Sequence, residues 1–490
     1  MKHLPISLRA HVIAGCALAI VSGCVYAQPP LPAYSAFVVL GEHGRATARV
    51  ITDAAACPNM RLDWHEIPMR LRAGAETIPL RATRSASADS KPSAFPVLTC
   101  EVTIPDGTTS ATVYGKTLPL PARTVQRIVV IGDTGCRLKK SEAAYQACND
   151  ERQYPFARLA AQAAEWKPDL VIHVGDYLYR ENRCPADRAD CAGSPWGYGW
   201  DAWQADFFRP AAALLSAAPW IMARGNHESC SRAGQGWWRF LDPQPLIAGR
   251  DCNKADNDFI GDYSDPYAVP IGGSTQILVL DTSNTINKPI PPDNIRAAKY
   301  TRLYRQLAVL ARQSPYNIGV DHHPLLGFAA EQNVHGTVEL FPGNRGLQSV
   351  FGRIDPDLLP HGIQIMLSGH VHVWEALSFS SPHPAQFIAG FSGTQEDTVP
   401  LPSTLPANSS PAPGAVVSHF SSWVNGFGYM TMERNGPGRW EVKIRDMNGK
   451  QMNACHVTGN QAVCDIAQVS TPQPDKPAEN NTYKPSTATP

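Results

Sequence analysis

Five short motifs bring together residue types that can do chemistry. They are Gly132-Asp133-Thr134-Gly135, Gly175-Asp176-Tyr177-Leu178-Tyr179, Gly225-Asn226-His227-Glu228, Asp321-His322-His323-Pro324 and Gly369-His370-Val371-His372. Their side chains offer carboxylate, phenol, carboxamide and imidazole donors, a mixture that suits borderline transition metals better than Mg²⁺ or Ca²⁺. One ion cannot use all of them. Two ions about 3.5–4 Å apart that share a carboxylate can, and such a pair stabilises both the attacking and the leaving oxygen of an in-line phosphoryl displacement. Water bound to the pair loses its proton near neutral pH, so no catalytic Ser or Cys is required.

Each motif needs an element to aim it. From Val125 onward, apolar runs of strand length alternate with amphipathic stretches of helix length, the mark of βαβ units and a layered α/β architecture. The predicted strands are Ile128–Ile131, Leu170–Val174, Trp220–Ala223, Ile277–Leu280, Asn317–Val320 and Ile363–Leu367. The predicted helices include Pro155–Trp166, Trp203–Ala217, Asn294–Gln313 and Leu347–Leu358. The helix ending at Gln313 has the clearest period, with Ala297, Tyr300, Leu303, Tyr304, Leu307 and Leu310 at three- and four-residue spacing. All five motifs come directly after predicted strands, and ligands of open α/β sheets bind beyond the carboxyl ends of strands, so the motifs are expected to converge on one crevice.

Upstream, from about Pro29 to Arg123, the segments Ala36–Leu40, Ala46–Ile51, Thr77–Leu80, Leu98–Ile104 and Thr109–Tyr114 are short, β-rich and separated by Gly, Pro, Asp and Ser. This pattern predicts a small all-β, sandwich-like accessory domain over residues 29–123, with the catalytic domain at 125–467. Residues 468–490 form a polar, Pro-rich tail with the composition of a disordered segment. The chain has 490 residues, with 43 Lys+Arg against 43 Asp+Glu. That neutrality gives no general attraction to nucleic acid, and no stable nucleic-acid complex is expected.

The N-terminus addresses the compartment. Lys2, His3 and Arg9 precede an apolar run from Val12 to Val21, too short to span a bilayer comfortably, and Val25-Tyr26-Ala27 before Gln28 has the form of a cleavage site. Residues 1–27 therefore read as a signal peptide of an exported, periplasmic or secreted protein. A second reading is that Val21-Ser22-Gly23-Cys24 resembles a bacterial lipoprotein box, which would anchor the chain through Cys24. Beyond the leader no stretch has the length of a membrane span. Ten cysteines remain after cleavage, an even number that favours disulfides in an exported chain. Sequence neighbours suggest Cys57–Cys100, Cys136–Cys148, Cys184–Cys191, Cys230–Cys252 and Cys455–Cys464, although spacing alone does not fix connectivity.

Taken together and in order, the five motifs resemble those of the calcineurin-like metallophosphoesterases, and most closely the purple acid phosphatases. The resemblance spans roughly Arg127 to Glu375, with an echo in Phe387–Gly393. Asp133-Thr134-Gly135, where many relatives carry D-x-H, and Tyr179 three residues after Asp176 narrow the branch. The resemblance implies a four-layer α/β/β/α sandwich that hydrolyses phosphate monoesters at an Fe(III) ion paired with Zn, Fe or Mn. Asp133, Tyr179 and His372 would hold the ferric ion, Asp176 would bridge, and Asn226, His322 and His370 would hold the divalent one. His227 would face the substrate, to hydrogen-bond a phosphate oxygen or protonate the leaving alkoxide, and His323 would act nearby or on the substrate side. The family's plant-type members carry a longer segment ending in paired histidines, which this chain matches only at His323 and, more loosely, His335.

Simpler readings stand beside these. Asp133 alone reads as a turn or helix-capping residue, and Tyr179 alone as a packed aromatic like Tyr177. His322 and His323 are competing ligands, because neighbouring side chains at a strand end point to opposite faces. His173 and His361 read as structural or exposed, and Asp281 as either an orienting partner of a ligand or a loop cap. The insertion Arg180–Trp203, with Trp196, Tyr198, Trp200 and Trp203, is either a wall for an organic leaving group or the start of a buried helix. Trp237 and Trp238 pose the same question. Two other functions share these residues: a phosphodiesterase, and a metal- or phosphate-binding envelope protein without turnover.

Overall fold

The structure, a computed structural model, describes Met1 and residues 33–469 apart from 397 and 407. The leader, both of its processing motifs and the tail from Ser470 lie outside the described residues.

The six predicted strands, five of which carry the motifs, form where predicted, within one or two residues: Arg127–Ile131, Leu170–His173, Trp220–Met222, Thr275–Val279, Tyr316–Val320 and Ile363–Ser368. They fall in two sheets. In the first, the Arg127, Leu170 and Trp220 strands run parallel. In the second, the Thr275, Tyr316, Ile363 and Ala385–Ala389 strands run parallel. Strands covered on both faces need apolar residues at successive positions, and these runs supply them.

Side-chain alternation assigns the layers. Ile128, Val130, Leu170 and Ile172 of the first sheet share one core with Ile318, Val320, Ile365 and Leu367 of the second. On the opposite face, Val129, Ile131 and Val171 pack on Phe156, Leu159, Ala160 and Ala163 of the Phe156–Glu165 helix. Leu278 and Met366 face outward onto Tyr300, Leu303 and Leu307 of the Ile295–Leu310 helix and Leu347 and Val350 of the Arg345–Phe351 helix. The result is the four-layer α/β/β/α sandwich.

The N-terminal region is all-β, and it is built onto this sandwich. Its first strand, Ala33–Leu40, pairs parallel to the Trp220 strand, with Val39 opposite Trp220. The Ala46–Thr52, Leu98–Ile104 and Arg70–Ala73 strands continue outward, so the first sheet has 11 strands across both regions. A second small sheet holds Asn59–Leu62, His65–Pro68, Ala111–Val113 and Lys116–Thr117. Arg72 donates to the carbonyl of Trp238 at 2.8 Å and Arg49 to that of Phe240 at 2.8 Å, fastening this region to the loop beyond His227.

Two helices depart from the predicted bounds. The stretch expected as one helix over Trp203–Ala217 is broken into Trp200–Trp203, a wide π turn over Gln204–Phe208 and Ala212–Ala217. Pro210, which lacks an amide donor, stands in the gap. The helix expected to reach Leu358 ends at Phe351, with Gly352 after it. The chain's last described strand, Gln468–Val469, pairs with Val417–Trp423, so order continues two residues into the expected tail. All five suggested disulfides are present. No helix among the described residues is long and apolar enough to cross a membrane.

Candidate metal centre

The loops at the carboxyl ends of the two sheets meet, and their backbones are unusual where they do. Asp133, Asp176 and His370 have φ of 53°, 58° and 71°, a left-handed conformation that non-glycine residues rarely adopt. Such strain, of order 1–3 kcal/mol per residue, persists only where surrounding contacts fix it. Here the amide of Asp133 donates to Gly175 at 3.0 Å and that of Thr134 to Asp176 at 3.1 Å, locking the first two loops together. Gly175 is required for close approach, because a Cβ on it would lie 2.5 Å from His322 Nδ1.

One group of donors surrounds the Tyr179 hydroxyl. That oxygen lies 2.8 Å from Asp133 Oδ1, 2.9 Å from Asp176 Oδ2 and 2.9 Å from His372 Nε2. His372 Nδ1 donates to the carbonyl of Gln395 at 2.7 Å, which leaves Nε2 with a lone pair facing the group. Burial, reinforced by the charges of Asp133 and Asp176, pushes the Tyr179 phenol well above its ordinary range. It is a proton donor to the carboxylates unless a strong cation takes the proton's place.

A second group surrounds Asn226. Its Oδ1 lies 3.1 Å from His322 Nε2 and 3.1 Å from His370 Nδ1. His322 Nε2 is also 3.1 Å from Asp176 Oδ2, and His322 Nδ1 donates to the carbonyl of Val174 at 2.9 Å. Asp176 Oδ2 therefore belongs to both groups. Burial works to raise the Asp176 carboxyl, but the His322 charge and hydrogen bond prevail and hold it well below the usual range. His322 moves the other way: burial works to lower it, and Asp176 pushes it up to about 9.

The adjacent histidines part company. His323 takes Thr282 Oγ1 as partner of its amide at 3.1 Å and of its ring Nδ1 at 3.3 Å, and its ring lies 4.2 Å from that of His370. His322, His323 and His370 nonetheless keep ring nitrogens close enough to share an ion. The amide of His227 donates to Asp176 Oδ1 at 2.8 Å, and its ring lies 3.8 Å from that of Tyr179, tilted by 33°. Arg232 NH2 lies 2.6 Å from each of its ring nitrogens and is paired with buried Glu181, which also accepts the Tyr198 hydroxyl at 2.9 Å. Burial and then the Arg232 charge hold the His227 ring well below its ordinary value, so it is neutral near pH 7.

All nine predicted residues thus meet at one place, and four others that hold them were not foreseen. Glu228 accepts the amides of Asp176, Tyr177, Leu178 and Gly225 at 2.9–3.2 Å. Asp206 accepts the amides of Cys136 at 3.0 Å and Tyr179 at 2.8 Å, and pairs with Arg180. Thr282 holds His323, and the carbonyl of Gln395 holds His372. His173 is structural: Gly175 donates to its Nδ1 at 3.1 Å, its Nε2 lies 3.0 Å from Thr134 Oγ1, and its ring stacks on Tyr177. Asp281 caps its loop through the amides of Ser264 and Ser283 and faces Arg224 at 3.5 Å. The aromatic insertion resolves into core, for Trp200, Trp203, Trp237 and Trp238 are buried in one cluster with Phe208 and Phe240. Trp196 alone of that group is half-buried, flanked by Lys91 and Arg183. His335 sits exposed in the turn between Phe328–Gln332 and Val338–Pro342.

The donors fit metal ions. Carboxylates, a phenol and imidazoles are buried at hydrogen-bond distance around a shared carboxylate oxygen, an arrangement whose charge and desolvation cations offset. No curated protein sequence matches the chain. Among solved structures, a purple acid phosphatase isolated from yellow lupin (Lupinus luteus) seeds is similar with a TM-score of 0.51 at 15% identity, over 91% of this chain and 77% of that one. The structure of PhoD is similar with a TM-score of 0.50 at 12% identity, over 91% of this chain and 94% of that one. At these identities the likeness is one of fold. The family model of calcineurin-like phosphoesterases matches residues 126–374, half of the chain and the stretch holding all seven candidate donors, and the chain belongs to that family.

Proposed function

We propose that this chain is an exported phosphatase that hydrolyses phosphate monoesters at an Fe(III) ion paired with a divalent Zn, Fe or Mn. Asp133, Tyr179 and His372 hold the ferric ion, Asn226, His322 and His370 hold the divalent one, and Asp176 joins them. The observation that carries this reading is the position of Asp176 Oδ2, 2.9 Å from the Tyr179 hydroxyl and 3.1 Å from His322 Nε2. When bound, such a pair supplies positive charge for the phosphoryl oxygens and acidifies water to a nucleophile.

The protein's own groups do the rest. Tyr179 is the residue that selects a trivalent ion, since only a strong cation converts so buried a phenol to phenolate. His227, with Nδ1 taking a hydrogen bond from Arg232, carries its proton on Nε2 and is suited to donate it to a phosphoryl oxygen or the leaving oxygen. His323, set by Thr282, lines the other side. The leader motifs and the five disulfides support an exported location, periplasmic or secreted, with acylation at Cys24 as the route to a membrane-anchored form.

The test is the ratio of turnover on an aryl phosphate monoester to that on the matching diester, from acid to alkaline pH, with metal-loaded protein. A large monoester preference peaking in acid is expected. A diester preference would replace this reading by a phosphodiesterase using the same donors, and a loaded protein inert to both would make it a binding protein.

A further inference from the structure

The loop over residues 83–90 of the N-terminal region is clamped to the catalytic loops. The amide of Arg84 donates to the carbonyl of Ser231 at 3.0 Å, next to Arg232, whose guanidinium touches His227. Asn182 Nδ2 donates to Ser85 Oγ at 3.1 Å and to the carbonyl of Asp89 at 3.2 Å, and Lys140 pairs with the Asp89 carboxylate at 2.7 Å. The segment is thereby tied to the loops that come after Asp133, Tyr179 and His227.

Among the described residues, most cations of this rim have acidic or carbonyl partners. Arg137 and Lys139 pair with Glu142, Arg180 with Asp206 and Arg232 with Glu181, while Arg296 donates to the carbonyl of Asn284. Arg84 is exposed, and its guanidinium makes no hydrogen bond or ion pair with another described residue. Partial desolvation beside the neighbouring loops, with the charge of Arg232, lowers its guanidinium from the ordinary value, and Glu181 and Asp262 oppose this. Neither carboxylate is available: Glu181 is held by Arg232 and Tyr198, and Asp262 accepts the amide of Cys230 at 2.6 Å and faces Arg224 at 3.7 Å. An arginine remains protonated under such conditions and presents a planar fork that matches carboxylate or phosphate.

We infer that Arg84 is a specificity residue that binds a second anionic group, carboxylate or phosphate, on the leaving group of the phosphate ester. This rests on the proposed phosphatase reading. The reacting phosphoryl group is already served by the metal donors and His227. A cation at the rim instead complements charge carried farther along the substrate. In this role the N-terminal β region contributes directly to substrate choice.

The experiment uses a near-isosteric pair, 3-phosphoglycerate and glycerol 3-phosphate, which differ by a carboxylate in place of a hydroxymethyl group. With the metal-loaded full chain, kcat/KM and calorimetric affinity are measured for both. Arg84→Ala should lower the preference for 3-phosphoglycerate over glycerol 3-phosphate about tenfold, chiefly through KM and affinity, the size expected for one charge-assisted contact. Arg84→Lys should retain part of that preference. An unchanged ratio in both variants, or an equal loss on both compounds, would overturn the inference. Calorimetry reads the same contrast without turnover, so wild-type protein that binds both esters and hydrolyses neither defeats the phosphatase reading alone.

Discussion

Glu228 accepts the amide of Asp176 at 3.1 Å across a sequence separation of 52 residues, and so sets the aim of the one carboxylate that both donor groups share. The same side chain accepts the amides of Tyr177, Leu178 and Gly225. Burial and the charge of Asp176 push the Glu228 carboxyl up to about 8, so its position is held against an electrostatic cost. Replacing it by alanine strands four buried amides and frees the loop. Glu228→Ala should retain metal about 10–100-fold less tightly than wild type and lose turnover in proportion, as partners of ligands do. Metal content after dialysis against graded chelator checks this, and Glu228→Gln, which keeps one carbonyl acceptor, should fall between the two.

Asp176 and Tyr179 separate two parts of the metal assignment. Asp176→Asn removes the shared charge, and both metal loading and turnover should vanish together; full activity in that variant would exclude a bridging role. Tyr179→Phe keeps the ring that packs against His227 but removes the hydroxyl. Loaded with ferric iron, it should lack the visible phenolate-to-iron band of the wild-type protein. An unchanged spectrum would mean that another group binds the iron.

The donors were legible in the sequence because their strands are. Ile128–Ile131 and Ile363–Leu367 are apolar runs whose ends are marked by Gly and polar residues, and the loops at the carboxyl ends of such strands share one crevice. Glu228 and Asp206 were not legible, since each acts by accepting amides from a loop that only the tertiary fold brings near. The pairing of Ala33–Leu40 with the Trp220 strand was hidden for the same reason: local pattern announces a strand, not its neighbour. Trp200 and Trp203 could have lined a substrate wall or a core, and their burial with Phe208 and Phe240 decides for core.

Glu142 gives a pH signature away from the donors. It lies 2.6 Å from Arg137 and 2.7 Å from Lys139. Burial works to raise its carboxyl, but the two cations prevail and bring it to about 2 from an ordinary 4.5. A carboxyl with a depressed folded-state pKa contributes stability that is fully present above the unfolded value. That contribution is lost as pH falls from about 4.5 toward about 2. It is on the order of 2 kcal/mol once screening at a partly exposed site is allowed for. Glu142→Gln should therefore be less stable than wild type at neutral pH, and the difference should shrink through this window. Denaturant titrations at pH 7 and at low pH measure it, and a difference independent of pH would contradict the assigned ion pairs.

Gly225 tests whether the site depends on close approach alone. Its φ of −95° and ψ of 175° are ordinary extended values that alanine adopts without strain. A Cβ there would nevertheless lie 2.0 Å from Asp176 Oδ1 and 2.3 Å from the Asp176 amide nitrogen, neither of which can move without breaking the contacts to His227 and Glu228. Gly225→Ala should therefore displace Asp176, with loss of metal binding and turnover, while the sheets and the five disulfides remain. Metal analysis beside far-ultraviolet circular dichroism separates the two effects. A variant that folds and keeps its metal would show that the Asp176 loop yields by more than its hydrogen bonds allow.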